Sequence, residues 1–97
     1  MSNLRSYILV HSNKAASHEQ MKGYLNEMIE VDTWRSDISN CFYIISKEEA
    51  SALAKAIRGK TGDGRFIVTE IVANSNGWLT PESWYLVKNK KHKPKEG

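Results

Sequence analysis

Three polar residues in the first half of the chain have side chains that hydrolytic enzymes use. His11 ends the first apolar run, and Asp32 and Asp37 stand on either side of a later apolar position, Trp34. An imidazole can act as a general base, and carboxylates can hold Mg²⁺ or Mn²⁺. The three residues define one candidate catalytic site, that of a metal-dependent nuclease. The alternative, which we favour, is that His11 is a partly exposed residue at the end of a strand.

The histidines and the cysteine do not have the spacing of a metal site. His11, His18 and His92 are far apart in the sequence, and Cys41 is the single cysteine. Zinc ligands normally come in short, regular spacings. We therefore expect no metal and no other cofactor, with Mg²⁺ or Mn²⁺ as the alternative for a nuclease. Cys41 is expected to be a buried packing residue.

The positive charge of the chain is concentrated at its C-terminal end. The last ten residues contain five lysines, which are Lys88, Lys90, Lys91, Lys93 and Lys95. With one glutamate they carry +4 (five minus one), whereas the first 87 residues carry −1 (nine basic minus ten acidic). A flexible basic segment binds a polyanion by releasing counterions. The tail therefore predicts nucleic-acid binding, with a merely solubilising terminus as the alternative.

Three tryptophans are many for 97 residues. Aromatic side chains on a sheet can stack on single-stranded bases. The alternative is packing or self-association, and we favour it here. The predicted dimer interface consists of Trp78, Trp84 and Tyr85.

Apolar periodicity and capping residues place the helices and strands. Strands are predicted over residues 4–11, 31–35, 41–45 and 65–73, with a short final strand over 84–87. Helices are predicted from Ser17 to Ile29 and over residues 47–58. Ser17 with Gln20 and Ser46 with Glu49 have the capping-box spacing. Gly59 is predicted to end the second helix.

One further signal precedes the final strand. Thr80 followed by Pro81 is typical of a helix start, with threonine as the cap and proline at the first position. The sequence predicts a single helical turn there, followed by the strand over residues 84–87.

This order predicts an α+β fold, a ferredoxin-like βαββαβ sandwich with an extra C-terminal β-strand. Right-handed crossovers place both helices on one face of the sheet. The other face is also apolar, so we expect a second protomer to cover it and the chain to be a homodimer. We expect one domain over residues 1–87 and a flexible lysine-rich tail over residues 88–97.

The composition also bears on location. No run of about 18 apolar residues exists, so no membrane span is expected. The N-terminus lacks the layout of a signal peptide, and the single cysteine suits a reducing compartment. We expect a cytoplasmic protein.

Three stretches carry a resemblance to a known family: YILVHS over residues 7–12, WRSDISNCFYIIS over 34–46 and DGRFIVTEI over 63–71. They resemble the small CRISPR-associated adaptation proteins and their SinR-like relatives. The resemblance implies a ferredoxin-like domain that dimerises sheet to sheet. The family's proposed metal-binding aspartate ends the first strand, where this chain has Val10, His11 and Ser12, so the resemblance does not extend to the metal site of a nuclease.

Together these features predict a non-enzymatic, dimeric binding module. Its partner is expected to be nucleic acid, or it is an accessory or inhibitor protein of a phage or mobile element. One alternative is a metal-dependent nuclease of the CRISPR-adaptation type. Another is a domain that only binds other proteins.

Overall fold

The computed structural model describes residues 3–94, which form four strands and three helices. In chain order they are β1 (Arg5–His11), α1 (His18–Glu27), β2 (Thr33–Ile38), β3 (Cys41–Ser46), α2 (Ala50–Thr61), β4 (Phe66–Glu70) and α3 (Pro81–Asn89). Within residues 3–94, none of the helices has the length and apolar character needed to cross a bilayer.

The four strands form one antiparallel sheet in the order β2-β3-β1-β4. Each of the helices α1 and α2 therefore connects two strands that are separated by a third strand. The fold is α+β, as predicted, and it is compatible with the ferredoxin-like sandwich. β1 and β3 lie at the centre, and all six residues of β3 are buried because both faces of this strand are covered.

Helices α1 and α2 pack on one face of the sheet. Their buried residues include Met21 and Leu25 from α1 and Leu53 and Ile57 from α2. They meet the strand residues that alternate toward this face, among them Tyr7, Leu9, Phe42 and Ile44. This cluster is the larger of the two apolar cores.

The predicted cap of α1 is confirmed. Ser17 Oγ accepts a hydrogen bond from the Gln20 N–H (3.0 Å), and the Gln20 side chain accepts one from the Ser17 N–H (2.9 Å). The two residues thus satisfy two donors that the first helical turn leaves free.

The predicted bounds of α2 are wrong at both ends. Ser46 still belongs to β3, and its hydroxyl donates to the Glu30 carbonyl (2.5 Å) and accepts from the N–H of Glu48 (3.0 Å), which precedes the helix. The helix begins at Ala50 after Glu49, whose side chain makes no cap hydrogen bond. It ends at Gly62, not Gly59, because Gly62 has the positive φ of 69° that suits glycine and its N–H bonds the Arg58 carbonyl.

The predicted C-terminal strand over residues 84–87 is wrong, because these residues belong to helix α3. Thr80 caps the helix by accepting from the Ser83 N–H (3.3 Å), and Pro81 occupies its first turn. Ser83, Leu86 and Val87 are buried at helical spacing. The predicted single turn is therefore the start of a nine-residue helix.

Helix α3 packs on the sheet face opposite α1 and α2. Leu86 and Val87 contact Cys41, Tyr43 and Ile45 of β3 in a second apolar core. Two hydrogen bonds hold the helix in place: a buried one from Ser6 Oγ to the Val87 carbonyl (2.6 Å) and a partly buried one from Arg35 Nε to Ser83 Oγ (3.0 Å). The chain thus covers with its own helix part of the face that we had assigned to a second protomer.

Coverage by α3 is incomplete. Val10, Ile38 and Ile67 are 45%, 52% and 63% exposed. Val10 pairs with Cys41 of β3 and with Ile67 of β4, so these side chains share the α3 face. We call Val10, Ile38 and Ile67 the open patch. It lies toward the end of the sheet where β1 finishes.

Candidate functional site

The structure does not bring the three predicted catalytic residues together. The expectation that His11 is partly exposed is wrong. It is buried on the face of α1 and α2, where its ring stacks on Phe42 with centroids 5.8 Å apart. Asp37 serves the other face, since its carboxylate accepts from the Thr80 hydroxyl (3.2 Å). Asp32 is exposed before β2, at the opposite end of the sheet from His11.

Other groupings of metal-binding side chains are also lacking in the described part of the chain. Among residues 3–94, no group of three or more His, Cys, Asp or Glu side chains is placed to hold a metal ion. The nuclease alternative therefore has no geometric support in this range.

His18 was not among the candidates, and its position gives it a structural role. Its ring stacks on Phe42 with centroids 4.6 Å apart. Its Nδ1 accepts from the Asn40 N–H (2.9 Å), which holds the β2–β3 turn at the positive φ of Asn40. Because Nδ1 is the acceptor, the proton of the neutral ring resides on Nε2. His18 thus ties the start of α1 to the hairpin.

Helix α3 extends past the predicted boundary at residue 87 and positions the first lysines. Lys88 lies in its last turn, and its ammonium group is 5.3 Å from the centroid of the Trp84 ring. Lys90 is the C-cap, in a left-handed conformation with its N–H bonded to the Leu86 carbonyl (2.7 Å). Lys91 and Lys93 follow and are exposed, while Lys95 lies outside the described residues.

These lysines are available for an external anion. Within residues 3–94, no carboxylate forms an ion pair with Lys88, Lys90, Lys91 or Lys93. Four ammonium groups within six residues give this end of α3 a concentrated positive charge.

A cleft opens between α3 and the segment that follows β4. It consists of two adjoining cavities, a larger one of about 520 Å³ and a smaller one of about 310 Å³, whose walls share Ile71, Val72, Trp84 and Val87. We call the two together the α3 cleft. Lys88 and Lys90 line the larger cavity, and Tyr43 lines the smaller one.

Tyr43 has an unusual environment for a tyrosine. It is 2% exposed, and its hydroxyl has no hydrogen-bond partner among the described residues. Burial, together with the charges of Cys41 and Asp37, raises the pKa of Tyr43 to about 12. The phenol therefore stays protonated, and it is a donor without an acceptor in this structure.

The three predicted interface residues have different surroundings. Trp78 is 96% exposed, although its neighbours Gly77 and Leu79 line the smaller cavity of the α3 cleft. Trp84 and Tyr85 are half-buried on α3, and Trp84 packs against the second core. Sequence reasoning found these aromatic residues and the lysines, but it missed the cleft between them because it placed residues 84–87 in a strand.

Comparison with known proteins yields no match: no family model, no curated protein sequence and no solved structure is significantly similar to this chain. The resemblance to the CRISPR-associated adaptation proteins stays a prediction.

Proposed function

We propose that this protein is a non-catalytic binding module for single-stranded nucleic acid. The observation that carries the proposal is the position of the lysines, because Lys88 and Lys90 line the same cavity as Trp84. Proteins that bind single strands combine a cationic surface for the phosphates with aromatic side chains for the bases. The α3 cleft provides both within one helix.

The charge distribution supports the same conclusion. The body of the chain carries about as many acidic as basic residues, so the whole surface does not attract a polyanion. Binding then depends on one local cluster. Exposed Trp78, beside the cleft, adds an aromatic surface that a second base could stack on.

The proposal is tested with a charge variant that leaves the fold intact. Lys88, Lys90, Lys91 and Lys93 are replaced together by glutamine, and binding of a fluorescent twelve-nucleotide (dT)12 is measured by anisotropy across salt concentrations. We expect weaker binding and a slope of log K against log salt that is shallower by about 3, since each lost phosphate contact on a single strand contributes about 0.7.

The matched control removes the same charge elsewhere. Lys14, Lys47, Lys55 and Arg65 are exposed and form no ion pair within residues 3–94. Their replacement by glutamine should leave the affinity near that of the wild type, apart from a small uniform loss. Equal losses in the two variants would contradict a local site, and a wild type that does not bind (dT)12 would refute the function.

A second candidate function is self-association, which the open patch favours. Val10, Ile38 and Ile67 expose apolar surface on the sheet face where we expected a second protomer. Contiguous apolar patches of this kind commonly mark protein contacts. We propose a second copy of the chain as the occupant, in keeping with the dimer that the family resemblance implies.

Sedimentation velocity distinguishes this candidate from a monomer. Ile67→Lys places a charge in the open patch and should convert a dimer to a monomer. Ile29→Lys is the control, because Ile29 is 94% exposed after helix α1, away from the patch. A wild type that sediments as a monomer at all concentrations would refute self-association.

A further inference from the structure

We propose that the outer edge of strand β4 is a docking site for an extended, acidic segment of a partner protein, which adds to the sheet as a further strand. This inference goes beyond the proposed function, because it concerns a different surface and a different ligand. Two independent features carry it. They are a regular row of backbone groups on the outer side of β4 and a positively charged groove beside that row.

The backbone of β4 is hydrogen-bonded to a neighbouring strand on one side only. Within residues 3–94, β4 is the last strand on its side of the sheet and pairs with β1 alone. The Ser12 N–H bonds the Arg65 carbonyl (2.9 Å), and the Ile71 N–H bonds the Ser6 carbonyl (2.8 Å). Hydrogen-bonded positions alternate along an antiparallel pair, so every second residue from Arg65 to Ile71 bonds β1. The residues between them direct N–H and C=O away from the sheet, and they are Phe66, Val68 and Glu70.

The other outer strand, β2, is a poorer template for strand addition. Its pairing with β3 shifts between Arg35 and Ile38, and a bulge of this kind interrupts the row of backbone groups at an edge. β4 pairs with β1 without a shift over all five of its residues. An added strand must match successive donors and acceptors, so the regular edge of β4 is the better site.

A groove of about 820 Å³ lies beside this edge, between β4 and α2. Lys55 and Arg58 of α2 line it together with Arg65, against the single carboxylate of Asp63. The groove therefore carries +2 (three cations minus one anion). Arg58 is 3.9 Å from Asp63, whereas Lys55 and Arg65 form no ion pair within residues 3–94. Two cations are thus available to an acidic ligand.

The charge of the groove and the chemistry of the edge together select the occupant. A second copy paired edge to edge would place two grooves of charge +2 side by side, and like charges repel. The phosphates of a nucleic acid match the cations, but they offer only acceptors and leave the outward carbonyls of β4 unpaired. An extended acidic peptide supplies carboxylates for the cations and both N–H and C=O for the edge.

The two faces of the edge predict the side-chain pattern of the partner segment. Side chains alternate between the faces of a strand. On the α2 face the added strand meets Lys55 and Arg58, which favour acidic residues. On the other face it meets Ile67, which is 63% exposed and favours apolar residues. We therefore expect acidic and apolar residues in alternation.

The test uses a short fluorescein-labelled peptide that alternates glutamate and valine, with binding measured by anisotropy. We expect saturable binding to the wild type. A peptide with lysine in place of glutamate should not bind. Two further peptides keep every side chain but carry methyl groups on the backbone nitrogens of either the glutamates or the valines. Because only one of these sets faces β4, one methylated peptide should bind about ten-fold more weakly and the other as the parent does.

A protein variant removes the central donor of the edge. Val68→Pro replaces an N–H that points away from β1, and proline is tolerated at such positions of edge strands. Val68→Ala is the matched control, because it loses side-chain packing and keeps the N–H. We expect Val68→Pro to bind the peptide about five-fold more weakly than Val68→Ala does. The methylated peptides give the same information with the wild-type protein if Val68→Pro does not fold.

A second pair of variants tests the groove. Lys55 and Lys47 are both exposed and form no ion pair within residues 3–94, but only Lys55 lines the groove. Lys55→Glu should weaken binding of the acidic peptide about ten-fold, because it replaces an attraction by a repulsion. Lys47→Glu makes the same change of net charge outside the groove and should have little effect.

The outcomes that overturn the inference differ from a failure of the proposed function. A wild type that does not bind the acidic peptide refutes this inference and leaves nucleic-acid binding untouched. Equal affinity for the two methylated peptides shows that the peptide does not add as a strand, and equal losses in Lys55→Glu and Lys47→Glu exclude the groove. Competition between the peptide and (dT)12 would assign the groove to nucleic acid instead. A dimer that Val68→Pro dissociates and Val68→Ala does not would assign the edge to a second copy.

Discussion

Tyr7 and Tyr43 are of one residue type and lie on adjacent central strands, but they differ in what their hydroxyls contact. Tyr7 is 1% exposed, and its hydroxyl donates to the Glu48 carbonyl (2.6 Å). Tyr43, on the opposite face, is as deeply buried and has no partner among residues 3–94. An unsatisfied buried hydroxyl costs free energy.

The same substitution at the two tyrosines should therefore have opposite effects on stability. Tyr43→Phe removes an unpaired polar group and should raise the free energy of unfolding by about 1 kcal/mol. Tyr7→Phe breaks a hydrogen bond and should lower the free energy of unfolding by about 1 kcal/mol. Urea unfolding followed by circular dichroism measures both. A loss of stability in Tyr43→Phe equal to that in Tyr7→Phe would mean that the Tyr43 hydroxyl has a partner in solution.

Alkaline pH gives an independent measure of the Tyr43 environment. Its pKa in the folded protein is about 12, whereas the ordinary value is 10, because burial disfavours the phenolate. Between pH 10 and 12 the unfolded chain loses this proton and the folded chain retains it, so stability falls as the pH rises. Tyr43→Phe lacks this loss, and its stability advantage over the wild type should widen across that window.

Absorbance at 295 nm provides the direct observation. The chain has four tyrosines. In the folded wild type, Tyr43 should ionise near pH 12, and the Tyr43→Phe variant should lack this component. Loss of an earlier component would show that Tyr43 ionises as an exposed tyrosine does.

The candidate site could be predicted only in part at the level of residues. The lysines and tryptophans were evident from their type and clustering alone. The pairing of His11 with Asp37 was not excluded by sequence, because the face of a strand on which a residue lies depends on register. The bulge in β2 between Arg35 and Ile38 changes the alternation there, and Asp37 faces Thr80 at the start of α3.

At the level of elements, α3 shows why a short apolar run is ambiguous. Four apolar residues from Trp84 to Val87 suit either a strand or one helical turn. The cap at Thr80 and Pro81 marked the helix start correctly, and the burial of Ser83, Leu86 and Val87 has helical spacing. The capping residues predicted the helix correctly because they depend on the local backbone conformation. The apolar run indicates only that these residues are buried.

The error at α2 has a different cause. Ser46 and Glu49 have the capping-box spacing, but Ser46 remains in β3, where its hydroxyl donates to the Glu30 carbonyl and accepts from the Glu48 N–H before the helix begins. Glu49 instead forms an ion pair with Arg5 (3.0 Å). A local sequence pattern does not indicate tertiary partners of this kind. The cap of α1 was predicted correctly because Ser17 and Gln20 bond only each other there.

Substitution by alanine should have opposite effects on stability at two glycines, one in α2 and one in the loop that follows it. A Cβ on Gly64 would lie 2.0 Å from the Ala15 Cα, so the loop before β4 packs on the loop after β1 only with glycine there. Gly64→Ala should cost about 3 kcal/mol or more, since neither backbone can move freely. Gly59 lies in α2 with nothing within 4 Å, and Gly59→Ala should stabilise by up to about 1 kcal/mol.

Thermal and urea unfolding of the two variants checks this pair. Gly59→Ala is the control, because it adds the same methyl group at a position where nothing lies within 4 Å. A Gly64→Ala protein as stable as the wild type would show that the two loops do not touch in solution.

At the scale of the whole molecule, the protein has three layers: α1 with α2, the sheet, and α3. The sequence predicted that the second sheet face needs a cover, and this requirement is real, because Cys41, Tyr43 and Ile45 are buried there. It assigned the cover to a second protomer, since residues 84–87 had been placed in a strand. The chain itself supplies part of the cover, and the open patch is left exposed.

The layer formed by α3 is smaller than the layer formed by α1 and α2, and it should detach from the sheet more easily. Its core contribution is mainly Leu86 and Val87, whereas α1 and α2 together bury Met21, Leu25, Leu53 and Ile57. Regions with few buried apolar contacts open locally at a lower free energy than the whole fold. Opening of α3 would expose the second core and, with it, Cys41.

Cys41 can therefore report on the opening of this layer. The thiol is buried, and burial together with the charge of Asp37 raises its pKa, so it should react slowly with a disulfide reagent in the native protein. Leu86→Ala weakens the α3 layer and Leu53→Ala weakens the other, each by about 2–5 kcal/mol. If α3 opens alone, Leu86→Ala should accelerate the labelling of Cys41 far more than Leu53→Ala does at matched global stability. Equal acceleration would mean that the thiol is exposed only by global unfolding, and that the three layers form one cooperative unit.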